Sequence, residues 1–208
     1  MFRSRTRPVV YSQAEHARLA AAVAAVWGNE TVPRPPLPFE SFVRGVELHD
    51  RGYGELDTDG IGETSDARWL EIQRRGFAAQ DPDPVVDLVV AMHVHRLVSG
   101  MAHVEVARAF EGELAGRRLR AGVSQADAEA ADRVTNLCDR LSFAFCFEQD
   151  EEGSVAGLAY AVAADGSAHV DPWPLGVPEL RREVAGYAAG GYPERLEPET
   201  RTFVLRPR

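Results

Sequence analysis

Val46-Glu47-Leu48-His49-Asp50-Arg51-Gly52-Tyr53 sets a histidine beside an aspartate at the end of an apolar-faced segment, just before a glycine. Phe42, Val46 and His49 fall at helical spacing, as do Val43, Val46 and Asp50, which puts both polar residues at the edge of a buried stripe. An imidazole or a carboxylate is costly there unless it is hydrogen-bonded, ion-paired or metal-bound. Successive helix positions are about 100° apart, so the two neighbouring side chains can converge on one ion over the groove between them. The stretch predicts a helical core with chemistry at one helix end.

Upstream, Pro33, Pro35, Pro36 and Pro38 force a loop. Before it, Ser12-Gln13-Ala14-Glu15 reads as a capping box. The helix it opens is expected to run to about Trp27, with His16, Leu19, Ala20, Val23 and Trp27 on one buried face. Residues 8–11 can form a short strand. Downstream come a Gly- and Asp-rich loop over 51–63 and a short helix from Ser65 to Gly76. A helix capped by Asp83, with Pro84 in its first turn, follows and is apolar almost all round from Val85 to Val98. It carries His93 and His95, which at a separation of two point to roughly opposite sides. A more polar helix over 102–120 precedes a long one, capped by Ser124 and running to about Glu148, whose stripe is Val134, Leu137, Cys138, Leu141 and Phe145. Asp139 lies just off that stripe.

Beyond residue 150 the pattern changes. A small apolar run over 155–163, a hairpin signal at Asp165-Gly166 and later segments near 181–187 and 201–206 read as strands. The expected fold class is α+β, with a mainly helical bundle over 1–150 and a small C-terminal antiparallel β-meander over 151–208 packed on it, which residues 8–11 can join.

A chain of 208 residues with 45% hydrophobic content can bury one sizeable core. A net charge of −9 argues against a nucleic-acid surface, which needs clustered basic residues. Cys138 and Cys146 read as small core residues with no disulfide framework. The apolar run Leu19–Trp27 is too short to span a bilayer, and Glu15 and His16 before it do not suit a signal peptide. The expectation is a soluble cytoplasmic protein that meets a small-molecule substrate, with neither nucleic acid nor membrane as partner. Its oligomeric state is left open.

His16, His49 with Asp50, and Asp139 stand on separate predicted helices, and helix bundles build metal sites from side chains aimed inward in this way. Two imidazoles and two carboxylates suit Mn, Fe, Co, Ni or Zn better than Ca or Mg. Taken singly, each residue reads more readily as a capping or surface group; the conjunction favours a site. The acidic run Glu55-x-Asp57-x-Asp59-Gly60 departs from a calcium loop at its first and last ligand positions. It reads instead as a loop lining the mouth of the metal site, with Tyr53 or Asp57 in reach of a ligand.

The ordered set Ser12-Gln-Ala-Glu-His16-Ala-Arg-Leu, Val46-Glu-Leu-His49-Asp50-Arg-Gly-Tyr53, Val90-Ala-Met-His93 and Cys138-Asp139-Arg-Leu-Ser142 resembles the HD-domain superfamily of helical metal-dependent phosphohydrolases. More narrowly, it is similar to a bacterial HD-like family of unknown function. The resemblance implies that His16, His49, Asp50 and Asp139 bind one divalent transition metal ion. His93 is then the candidate acid/base, with a buried core histidine as the alternative, and His95 a candidate substrate contact. The few further histidines argue against a second metal. The implied activity is hydrolysis of a phosphate ester or related small molecule. The alternatives are an HD-fold iron-dependent oxygenase and a non-catalytic metal-binding or ligand-sensing domain.

Overall fold

The computed structural model describes residues 1–54, 57–58, 60, 63–101 and 103–208. Side-chain caps start most of the helices. Helix α1 (Gln13–Ala25) opens where Ser12 Oγ accepts from Glu15 N–H at 3.1 Å. Helix α2 (Phe39–Glu47) starts at Pro38, and α3 (Asp66–Ala78) is capped by Ser65. Asp83 Oδ1 accepts from Val85 N–H at 2.9 Å to begin α4 (Pro84–Gly100). Helix α5 (Val104–Ala121) ends on Gly122 in the left-handed region, and α6 (Gln125–Phe147) opens at Ser124. Each cap satisfies amides that the first helical turn leaves without partners.

Seven strands complete the fold among the described residues: β1 (Phe2–Arg3), β2 (Val9–Tyr11), β3 (Glu151–Val155), β4 (Leu158–Val162), β5 (Ser167–Asp171), β6 (Leu180–Ala188) and β7 (Pro198–Pro207). They form one sheet in the order β1-β2-β6-β7-β5-β4-β3, parallel only between β5 and β7. The expected helical bundle with a small C-terminal antiparallel meander is therefore incorrect. The sheet is larger, it is mixed, and its β1-β2 edge comes from the N-terminus.

The sequence between β5 and β6 supplies the physical reason. Pro172, Pro174 and Pro178 offer no N–H to a ladder, so the chain leaves the sheet instead of turning back into a hairpin. It crosses to the end of α1, where Gly28 N–H donates to Pro174 O and Gly176 N–H donates to Val26 O, both at 2.8 Å. The place beside β5 falls to β7, whose other edge pairs with β6 along eight residues.

Sheet and helices share one core. Val162, Val170, Val184, Phe203 and Leu205 pack with Leu19, Val23, Leu141 and Phe145 of α1 and α6. A second cluster joins α3, α4 and α5, where the rings of Phe77 and Phe110 stack at 3.7 Å. Behind it, buried Arg117 donates to Asp87 Oδ1 at 2.8 Å and to Phe77 O at 2.7 Å, tying α5 to α3 and α4. Among the described residues no helix is long and apolar enough to cross a membrane.

Candidate metal centre

Four helical elements aim polar side chains at one point. His16 lies one turn into α1, so the Ser12 cap that fixes the helix start also fixes its direction. Asp139 stands in the middle of α6, and His93 on α4. His49 and Asp50 lie beyond the end of α2, not within it. Leu48 closes the helix, and Arg51 N–H donates to Leu48 O at 2.9 Å to begin a 3-10 turn over Arg51–Tyr53. The turn, rather than helical spacing, brings the pair together, with His49 Nε2 and Asp50 Oδ2 3.7 Å apart.

The remaining distances describe a tight cluster. His16 Nε2 is 3.1 Å from His49 Nε2, 3.2 Å from Asp139 Oδ1 and 3.6 Å from Asp50 Oδ2. His49 Nε2 is 3.7 Å from Asp139 Oδ1. An ion held at about 2.0–2.2 Å would space neighbouring donors about 2.8–3.1 Å apart in octahedral geometry, or about 3.3–3.6 Å in tetrahedral geometry. Three of the observed spacings fall across that span, and the two of 3.7 Å from His49 lie just above it. The two histidines are 1% exposed, whereas the side chains of Asp50 and Asp139 are 10% and 14% exposed and face the opening.

Hydrogen bonding on the far side of His49 also fits a ligand. Its Nδ1 lies 2.6 Å from Val46 O, so Nδ1 carries the proton it donates and Nε2 is the atom turned into the cluster, a lone pair there once its proton is given up. A backbone carbonyl on the second ring nitrogen is the usual support of a metal-bound histidine. His16 Nδ1 differs, being buried without a hydrogen-bond partner among the described residues.

His93 takes another part. The Arg96 guanidinium, which can only donate, lies 3.0 Å from His93 Nδ1 through Nη2. His93 Nε2 sits 3.3 Å from Asp50 Oδ1 and has no hydrogen-bond partner among the described residues. The donor atoms of His49, Asp50 and His93 lie close enough together to hold an ion, as do those of His16, His49 and Asp139. Arg96 is held in turn by Asp132, 3.2 Å from its Nε, and by Asn136 Oδ1, 3.1 Å from Nη1.

The electrostatics follow from this packing. Burial disfavours a charged His49, but the carboxylates of Asp50 and Asp139 outweigh it and hold the imidazole above its ordinary value. Burial pushes the Asp139 carboxyl up, and hydrogen bonds from His16 and His49 override it and leave the group well below the usual carboxylate range. Asp50 is lowered against the same burial by His49 and His93. Burial and the neighbouring His49 lower His93 and keep it neutral.

The cluster forms the floor of a cleft of about 530 Å³. Tyr53 lines it, as the sequence predicts. Asp57 does not act there: its buried carboxylate pairs with the Met1 ammonium and accepts from Gln13 N–H at 2.8 Å, so it fastens the N-terminal arm to α1. His95 is corrected too, because it points away from His93 toward Glu111, 3.7 Å distant, in a groove lined by α4, α5 and α6. Glu55 and Asp59 of the acidic loop lie outside the described residues. Sequence reasoning leaves Arg96 unplaced, although its spacing of three from His93 puts the two on one helix face. Arg140, Trp69 and Phe143 also line the cleft, and no sequence signal marks them.

A family model described as a protein of unknown function, DUF3891, matches residues 2–188, from β1 to the end of β6. No curated protein and no solved structure matches the chain.

Proposed function

The chain belongs to the DUF3891 family, and for it we propose a metal-dependent hydrolase with chemistry of the HD-domain type, acting on a phosphate ester or related small molecule. His16, His49, Asp50 and Asp139 would hold one divalent transition metal ion of the Mn, Fe, Co, Ni or Zn group. The observation that carries this reading is the convergence of two imidazole nitrogens and two carboxylate oxygens, 3.1–3.7 Å apart, on the floor of an open cleft. Such a set with room beside it suits a catalytic ion better than a closed structural one.

The ion would polarise a phosphoryl or carbonyl oxygen and acidify a water at neutral pH. The protein's own groups prepare the site. His93 Nε2 and the Arg96 guanidinium flank the outer oxygens of Asp50 and Asp139, at 3.3 Å and 3.6 Å. Phe2 and Phe143 pack edge-on against His16, with ring centroids at 5.0 Å and 6.5 Å, and shield it from water on its outer side. The buried free thiols of Cys138 and Cys146 fit a reducing, cytoplasmic setting.

The test is elemental analysis per chain, followed by reconstitution with each of these metals and a screen of phosphate esters. About one metal per chain with ester hydrolysis supports the proposal. Close to two irons with oxygen consumption would replace it with the oxygenase. A metal whose removal unfolds the protein, with no turnover in any form, would make the ion structural. No metal after reconstitution would end the metal-site reading.

A further inference from the structure

The cleft's lining speaks to what it admits. Its walls are apolar and aromatic above the polar floor: Phe2, Tyr53, Trp69, Leu97, Met101 and Phe143. Trp69 is braced, its ring stacked on His103 at 5.8 Å, and His103 Nε2 is in turn 3.1 Å from Asp66 Oδ1. Met101 is 58% exposed at this edge, a large apolar side chain left facing solvent. A ligand that covers these side chains would gain by removing them from water.

The charges are arranged differently from those of a polyphosphate site. Among the described residues the lining has four carboxylates, Asp50, Asp66, Asp139 and Glu151, against two guanidinium groups, Arg96 and Arg140. One divalent ion would bring this set to neutrality. Neither arginine is uncommitted. Arg96 is spent on Asp132, Asn136 and His93. Arg140 Nη1 lies 3.4 Å from both Glu151 Oε1 and Tyr160 Oη. All 23 basic residues of the chain are arginine, so no lysine supplements them. Clustered, available cations are what recognition of several phosphates requires.

Resting on the metal-site reading above, we propose that the cleft takes a ligand with a single anionic group carried on an aromatic or other apolar body, and discriminates against ligands with several. The anionic group lies at the metal end, and the body lies against Trp69, Met101 and Phe143.

Three non-hydrolysable probes separate the two halves of the proposal when titrated calorimetrically into the metal-loaded protein. Phenylphosphonate is expected to bind about tenfold to a hundredfold tighter than methylphosphonate, the ratio expected when a ring's extra carbons are buried. Benzene-1,4-diphosphonate, with the same ring and twice the charge, is expected to bind more weakly than phenylphosphonate. Trp69→Ala, and independently the rim variant Met101→Ala, should narrow the phenyl-to-methyl ratio at unchanged metal content. Equal affinity for phenyl and methyl probes, tighter binding of the diphosphonate, or no binding by a chain that holds its metal would each overturn the inference and leave the metal centre standing. A chain that holds no metal overturns both.

Discussion

Asp139→Asn isolates ligation from packing, because the amide keeps the carboxylate's shape while losing its charge and half its acceptor strength. Folding-coupled binding of structural zinc is worth about 10–16 kcal/mol, or about 3 kcal/mol for each of four donors if shared equally. The loss of one donor then weakens metal binding by about two orders of magnitude. The structure adds to the cost, since Asp139 Oδ1 is 3.2 Å from His16 Nε2 and Oδ2 is 3.6 Å from Arg96 Nη1, so an amide NH2 on either side faces a poor partner. Asp66→Asn is the control. It removes the same charge from the same cleft, but its carboxylate is 72% exposed and its effect on the ion is weakened by water to less than about 1 kcal/mol. Metal affinity would be measured by competition with a chromophoric chelator, and the fold of both variants by circular dichroism. Asp139→Asn should lose about a hundredfold and Asp66→Asn less than about fivefold. Equal losses in the two variants would mean that the cleft attracts cations only through its charge. Wild-type affinity in Asp139→Asn would remove this residue from the ligand set.

His49 predicts a pH dependence in which metal and proton compete for one nitrogen. Its raised folded value stabilises the metal-free protein fully below the unfolded value of about 6.5, and that contribution is lost as pH rises through the folded value. Asp50 and Asp139, both lowered, stay ionised across this window, so metal affinity should climb with pH up to the raised folded value of His49 and level off above it, and calorimetry below that value, in buffers of different ionisation enthalpy, should count about one proton released per ion. Flat affinity from pH 6 to 8 would refute the competition. Gly45→Ala tests the seat of α2, where a Cβ would lie 2.6 Å from Val89 Cβ on α4; overpacking costs about 1–3 kcal/mol, only partly offset by about 1 kcal/mol of helix propensity. Its melting temperature should fall, and its metal affinity with it, because α2 leads directly into the turn that holds His49 and Asp50; an unchanged melting curve would show that the helices can slide apart freely.

The helices and the meeting of His16, His49, Asp50 and Asp139 were legible because both rest on local or periodic signals. Ser12, Ser65, Asp83 and Ser124 sit where the caps form, and the buried face of α1 holds His16 beside Leu19, Ala20 and Val23. The sheet was not legible in the same way. Strands β6 and β7 lie where alternation and turns mark them, but nothing within them states that β2 will pair with β6 or that β5 and β7 will run parallel. Those pairings depend on which edges remain after the proline-rich crossover has left the sheet, a property of the whole assembly. Asp57 shows the same limit at the scale of one residue. Its acidic neighbourhood points toward ligands, whereas its partners are the amino terminus and a helix-start amide.

The sheet order also sets a timetable for synthesis. Phe2, which walls the cleft and packs against His16, is held in place through β1 on β2, and β2 is held by Ala188 and Tyr187 of β6. Strands β1 and β2 thus have no seat until a segment some 180 positions later has emerged. A nascent chain can form α1 to α6 and bring His16 and His49 together early, yet the wall beside them stays open until β6 arrives. Pairings of such long range slow folding, and here they make closure of the cleft one of the last events in the life of the new chain.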